Sequence, residues 1–379
     1  MALTLTAEQK LLQDNARQFV REAAPVEHLR RLRDARDATG FSRELWREMA
    51  KLGWAGIVFP EAYGGSGLGF TELGVVLEEC GRTLVPTPIV SSVLLCGGLL
   101  LEGGDDAQKQ SVLPAIARGE SVVALACEEA PRWDPYRVAL EAEPHGAGYK
   151  LRGHKNFVLD GHVADQLIVT ARTGGSSDQR SGISLFLVDA RQKGVKIERT
   201  LMLDNRNAAR CSFESVELPA SALIGTRDAA AELLDPVFDR AAICLSAELL
   251  GVISQAYDTT LEYLKTRVQF DALIGSFQAL QHRAVDMFCE LELARSVMLD
   301  ALAAIDARRE DVPVMASAAK ARLGDASRLI TREAIQLHGG IGMTDEHDIG
   351  LYLKRAAAAE ATFGDAAYHR DRFARLKGF

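Results

Sequence analysis

The chain has 379 residues, 47% of them hydrophobic and 25% charged, enough for two or three domains with a substantial core and too apolar for a largely disordered chain. Its 44 Lys+Arg against 52 Asp+Glu leave a net charge of −8, which argues against general nucleic-acid binding because phosphate contact needs a basic excess. No window reaches the roughly 18 apolar residues of a membrane span. The start, MALTLTAEQKLLQ, lacks the pattern of a secretory signal. The six cysteines stand singly, without CxxC or zinc spacing, and no HExxH occurs. These features imply free thiols in a reducing, cytoplasmic setting and no metal site.

In chain order, residues 1–120 carry a helical period. Helices are expected from Thr6 to Ala24 with Thr6 in a capping region, from Phe41 to Leu52 capped by Ser42, from Thr71 to Arg82, from Pro88 to Leu101 and from Asp105 to Arg118. The Gly- and Pro-dense stretch Gly53–Phe70 reads as a structured turn. Near residue 120 the period becomes two. Short strands are expected at 121–126, 138–142, 149–152, 156–159, 166–172, 183–189, 195–199 and 211–218, separated by turn signals. This spacing suggests an antiparallel barrel or sandwich rather than βαβ units. From about Thr226, long breaker-poor stretches at 229–265, 275–307, 312–338 and 345–363 suggest an up-and-down bundle. The expected fold is α+β and multidomain: an N-terminal all-α domain over 1–120, an antiparallel β-barrel over 121–225 and a four-helix bundle over 226–379.

Four features bear on chemistry. The Gly64–Gly69 run GGSGLG lacks the GK[ST] of a phosphate loop and does not follow a strand, so a tight packing turn is favoured. Gly339 and Gly340 after a long helix are either a helix cap or a place where a ligand approaches the backbone. Arg267 beside Phe270 suits a phosphate with a stacked ring, or a solvated ion pair. Glu248 lies in a helix stretch apolar on all sides, Ala241–Leu250. There a carboxylate is either a general base with a raised pKa or a structural group held by an arginine of a neighbouring helix.

Several blocks in order carry a resemblance. They are Gly53-Trp54-Ala55-Gly56 with Pro60-Glu61-Ala62-Tyr63-Gly64-Gly65-Ser66-Gly67, Lys155-Asn156-Phe157-Val158 with Ala164-Asp165, and Phe213-Glu214-Ser215-Val216 with Pro219. The strongest pair is Tyr263–Phe270 with Phe277-Gln278, and Gln336–Gly342. Over essentially its whole length the chain resembles the acyl-CoA dehydrogenase family. The resemblance implies the same α–β–α order and an FAD cofactor. Carried over by position, Arg267 grips the FAD pyrophosphate across a subunit interface. Phe270 and Gln278 lie by the adenine, and Gln336, Gly339 and Gly340 contact the dinucleotide. Cys127 and Glu128 replace the family's flavin-contacting Val-Thr, and Phe157 and Leu159 stand in its Trp-Ile-Thr.

The family's catalytic Glu-Gly-Thr falls on Phe363-Gly364-Asp365, and phenylalanine accepts no proton. The alternative base position of some branches is Ala241, followed by Ala242 where an arginine is usual, with Arg240 beside it. Glu248, nearly two turns on, is the leading candidate base, with Asp239 and Glu360 behind it. The reaction implied is α,β-dehydrogenation of an acyl-CoA thioester, with an electron-transferring flavoprotein as acceptor and a homo-oligomer or a hetero-oligomer with a related chain as the assembly. Two other readings stay open: a supporting subunit of a mixed oligomer, and another flavin reaction, such as oxygenation or nitro-compound oxidation, on the same fold.

Overall fold

A computed structural model describes residues 4–379. Helices α1 (Ala7–Ala23), α2 (Val26–Asp34), α3 (Arg43–Lys51) and α4 (Phe70–Arg82) lead into a π-helical stretch, Ile89–Gly97. Then come α5 (Gly98–Gly103) and α6 (Asp106–Ala117). The strands follow: β1 (Val123–Ala126), β2 (Glu141–His145), β3 (Gly148–Leu159), β4 (Gln166–Arg172), β5 (Ile183–Asp189), β6 (Val195–Leu201), β7 (Asn207–Pro219) and β8 (Leu223–Ile224). Helix α7 (Ala230–Thr266) precedes a hairpin, β9 (Val268–Gln269) and β10 (Ala272–Leu273). Helices α8 (Gln278–Asp306), α9 (Val312–His338), α10 (Ile349–Ala361) and α11 (Ala366–Lys377) end the chain.

Local chemistry sets many of these ends. Thr6 and Gln9 form a reciprocal capping box on α1, and Ser42 Oγ accepts from the Leu45 amide at the start of α3. The π-helical stretch lies inside the segment expected as one helix, and α2 and α11 were not foreseen. Strand β3 runs unbroken through the two strands expected at 149–152 and 156–159.

The chain forms two compact units. One comprises the chain up to Arg31, Phe70–Val85 and Ala242–Phe379; the other comprises Leu32–Gly69 and Pro86–Ala241.

The first unit is helical. Its core helices approach closely where glycines face each other. A Cβ at Gly81 of α4 would lie 2.1 Å from the Glu248 carbonyl oxygen of α7, and one at Gly251 of α7 would lie 1.8 Å from the Glu78 carbonyl oxygen of α4. Only glycine permits that backbone contact. Buried ion pairs tie further helices to α4: Arg17 of α1 to Glu79 at 2.9 Å and Arg295 of α8 to Glu78 at 2.7 Å.

The second unit carries the sheet. Its order is β6-β7-β3-β2-β4-β5-β8, with β1 beside β4. The expected closed antiparallel barrel is corrected in two respects. Among the described residues no pairing joins β6 to β8, and β1 and β2 run parallel to β4. Alternation of apolar and polar residues reports which face is buried, not whether a sheet closes. The open edges are short or charged: β8 has two residues, and β6 carries Lys196, Glu198 and Arg199. Strand β4 is buried at six of its seven positions, as expected for a strand covered on both faces. The π-helical stretch packs on β1, where Ser92 Oγ accepts from the Val123 amide and donates to its carbonyl, each at 3.0 Å. Gly65 belongs to a packing turn: a Cβ there would lie 2.1 Å from the Phe59 carbonyl oxygen.

Candidate functional site

In the helical unit, the end of α7, the β9–β10 hairpin, α8 and the end of α9 enclose a cavity of about 510 Å³. Arg267, Gln336, Gly339 and Gly340, four of the residues singled out in the sequence, line it together. Arg267 follows α7 directly. Its amide donates to the Tyr263 carbonyl and its carbonyl accepts from the Ile274 amide, both at 2.9 Å, so the backbone beneath the side chain is fixed. The side chain is exposed, and among the described residues no carboxylate lies within ion-pair distance of its guanidinium.

The two glycines differ. Gly339 caps α9 at φ 61°, ψ −138°, a conformation that side chains rarely adopt. Gly340 has an ordinary φ, and a Cβ there would meet nothing within 4 Å. Neither conformation nor packing within the chain therefore requires glycine at 340, and what its absent side chain leaves is bare, reachable backbone. An unpaired guanidinium, a carboxamide and bare main chain form a donor set suited to a pyrophosphate.

Sequence reasoning missed His338. It is 2% exposed, its ring stacks on Tyr263 with centroids 4.5 Å apart, and its Nδ1 lies 2.7 Å from the Ala334 carbonyl oxygen. Burial, together with the nearby His347 ring, keeps His338 below the usual histidine range, hence neutral. Its signal was the Leu-His-Gly-Gly string itself, read only for its glycines. Phe270 and Gln278 do not line the cavity. Phe270 is 89% exposed at the hairpin tip, edge-on to Phe277, and Gln278 opens α8.

Glu248 is buried, and Arg355 Nη1 lies 3.2 Å from its Oε1. The same arginine donates from Nη2 to the Leu84 carbonyl at 3.2 Å. This geometry is that of the carboxylate held by an arginine of a neighbouring helix. A carboxylate so paired is occupied by the guanidinium and shut away from any substrate by its burial. Glu360 is bonded to Arg328. Phe363 is buried at φ 61°, and its carbonyl oxygen lies 2.9 Å from His369 Nε2. Lys320 Nζ donates to the Ala359 and Glu360 carbonyls at 2.8 and 2.9 Å, closing the end of α10 just before that turn.

In the sheet unit, Cys127 is buried, and burial raises its thiol far above the usual range. Phe157 is 42% exposed at φ 50°, inside an irregularity of the β3–β7 pairing between Lys155 and Val158. Leu159 is half-buried opposite Ala208. Asp239 of α7 is 5% exposed.

The chain is thus of the helical–sheet–helical class, with a cavity whose cation and bare glycine backbone suit a phosphate-bearing ligand. Family comparison makes the class specific. The N-terminal, middle and C-terminal domain models of acyl-CoA dehydrogenase match residues 6–120, 125–216 and 233–377. The chain belongs to the acyl-CoA dehydrogenase family, whose members are FAD-dependent oxidoreductases. It is 32% identical to a probable acyl-CoA dehydrogenase, YngJ, of Bacillus subtilis, covering 98% of each chain. A solved structure of the ChsE4–ChsE5 complex from Mycobacterium tuberculosis is similar at TM-score 0.89 and 26% identity, covering 100% of both chains. The FAD complex of PigA is similar at TM-score 0.92 and 25% identity, covering 100% of this chain and 99% of that one. Among the described residues no helix is long and apolar enough to cross a membrane.

Proposed function

We propose that this chain binds FAD and takes part in α,β-dehydrogenation of an acyl-CoA thioester. The observation that carries the reading is the meeting of Arg267, Gln336, Gly339 and Gly340 around one cavity. In this reading Arg267 holds a pyrophosphate oxygen by charge-assisted hydrogen bonds, Gln336 orients the dinucleotide, and Gly340 lets the main chain reach the phosphates. Phe270 and Gln278, at the hairpin and the α8 start, flank the adenine end. The family resemblance assigns Cys127, Phe157 and Leu159, all in the sheet unit, to contact with the flavin ring. When bound, FAD accepts the hydride that leaves the acyl β-carbon.

The α-proton must go to a separate acceptor. We assign Glu248 to holding Arg355 rather than to that step, and Phe363 has no proton-accepting group. Two readings follow for the acceptor. In the first it is another carboxylate of this chain, with Asp239 as the buried candidate. In the second a related partner chain supplies it. That reading is supported by Phe363, by the pairing of Glu248 with Arg355 and by the similarity to a chain of the ChsE4–ChsE5 complex. An electron-transferring flavoprotein is the proposed electron acceptor, and a reducing compartment suits the six free cysteines.

The test is anaerobic mixing of the flavin-loaded chain with a panel of acyl-CoA thioesters, followed at the flavin absorbance. Bleaching by the chain alone supports a base of its own. Bleaching only with a co-expressed related chain supports the second reading. Absence of bleaching in both arms rejects acyl-CoA dehydrogenation.

A further inference from the structure

The helical unit holds a second cleft, of about 490 Å³, bordered by the end of α1, the start of α2, the end of α4, α7, residues 346–348 and α10. No residue lines both this cleft and the cavity around Arg267. Its floor is buried and fixed. The Tyr352 hydroxyl donates to the Arg82 carbonyl at 2.7 Å, and Glu79 is held by Arg17 at 2.9 Å.

Two adjacent groups of that floor have no hydrogen-bond partner among the described residues. Thr83 is 7% exposed, and its hydroxyl is buried and unbonded. The Arg82 Nε–H is buried and unbonded as well, with Glu79 Oε2 3.7 Å away, beyond hydrogen-bond reach. The other end of the same guanidinium is engaged: Nη1 donates to Asp258 Oδ2 at 2.9 Å. Buried polar groups without partners are costly, and native structures seldom leave two side by side unexplained. Both can donate, so an oxygen acceptor completes them. With the Glu79 carboxylate beside them, a neutral oxygen fits that place better than an anionic one.

The rim has the opposite character. Glu27 and Glu346 are exposed, and among the described residues neither carboxylate has an ion-pair or hydrogen-bond partner. Asp348 is taken by Arg30 at 2.6 Å, and Arg21 is exposed to water. Over the whole lining four carboxylates face two guanidinium groups, which favours a cationic guest. Gln255 and Thr259 of α7, bonded to each other at 3.2 Å, add a neutral polar wall suited to hydroxyl groups. We propose that this cleft binds a small polyhydroxylated amine of aminosugar size, its ammonium at Glu27 and Glu346 and a hydroxyl oxygen accepting from Arg82 Nε and Thr83 Oγ1.

The test is equilibrium dialysis of labelled D-glucosamine against the full-length chain, with and without FAD. The competitors are D-glucose, which lacks the ammonium, and cyclohexylamine, which lacks the hydroxyls. Saturable binding at one site per chain is expected, with each competitor about tenfold weaker than unlabelled glucosamine. Glu27→Gln combined with Glu346→Gln should weaken binding about tenfold or more. Thr83→Val should weaken it severalfold without lowering the melting temperature of the unliganded chain, because no partner within the chain is lost. Absence of saturable binding overturns the proposal. So does either competitor matching glucosamine, or a double variant that keeps wild-type affinity. A fall in unliganded melting temperature in Thr83→Val also overturns it, since the hydroxyl would then serve the fold.

Discussion

Arg355 and Glu248 form a sealed ion pair, Nη1 to Oε1 at 3.2 Å, with side chains 1% and 5% exposed. Removing one partner of such a pair strands the other charge in a low-dielectric interior, at a cost of about 3–5 kcal/mol. Glu248→Ala is therefore expected to lower unfolding free energy by that order in urea titration, while Glu248→Leu combined with Arg355→Leu recovers much of the loss. Flavin content per folded chain stays unchanged. An alanine variant as stable as wild type contradicts the structural assignment.

Arg267 is the cavity's uncommitted cation. If it holds a phosphate, Arg267→Ala removes a charge-assisted bond worth about 1.5–3 kcal/mol, roughly ten- to a hundredfold in FAD affinity. Equilibrium dialysis of FAD measures this. Stability of the flavin-free chain should be nearly unaffected, since the side chain is exposed. Arg267→Lys keeps the charge but not the planar fork, and should fall between the two.

The adjacent glycines separate conformation from ligand approach. Gly339→Ala forces a side chain into a left-handed conformation and should destabilise the chain by about 1–3 kcal/mol. Gly340→Ala adds a methyl to open space, so the flavin-free melting temperature should stay close to wild type while FAD affinity falls. Equal melting temperatures for the two variants contradict this division.

The acid limb of stability should report His369. Burial, reinforced by the Lys320 charge, pulls its pKa from 6.5 to about 4, so the folded state keeps it neutral. Between those values the unfolded chain binds the extra proton. The stability contribution is thus fully present above pH 6.5 and is lost as pH falls toward 4, by about 3 kcal/mol at most. His369→Gln should flatten that limb in melts recorded across this range. Lys320, lowered by burial from 10.5 to about 7, adds stability as pH rises from 7 toward 10.5, because only the unfolded chain keeps its proton there.

What was legible in the sequence follows from the range of the interactions. Helix α9 was expected at 312–338 and strands β4 and β5 at 166–172 and 183–189, and all three stand within those limits, because periodicity is local. The Thr6 and Ser42 caps are equally local. Sheet closure and the parallel pairing of β1 with β4 depend on partners over 40 residues apart, which no local pattern encodes. The same limit applies to Glu248, whose two readings differed only by an arginine 107 residues away. At the cavity, the string around Gly339 and the Arg267 segment, far apart in the chain, line one space together. The stacking of His338 on Tyr263 did not announce itself, because it joins the ends of two long helices.

The measurement that bears most directly on the account is FAD released on denaturing the purified full-length chain, per mole of chain, for wild type and Arg267→Ala after incubation with excess FAD. Close to one FAD per wild-type chain and a marked loss in the variant are expected. A wild-type chain that retains no FAD, or a variant that retains as much as wild type, contradicts it.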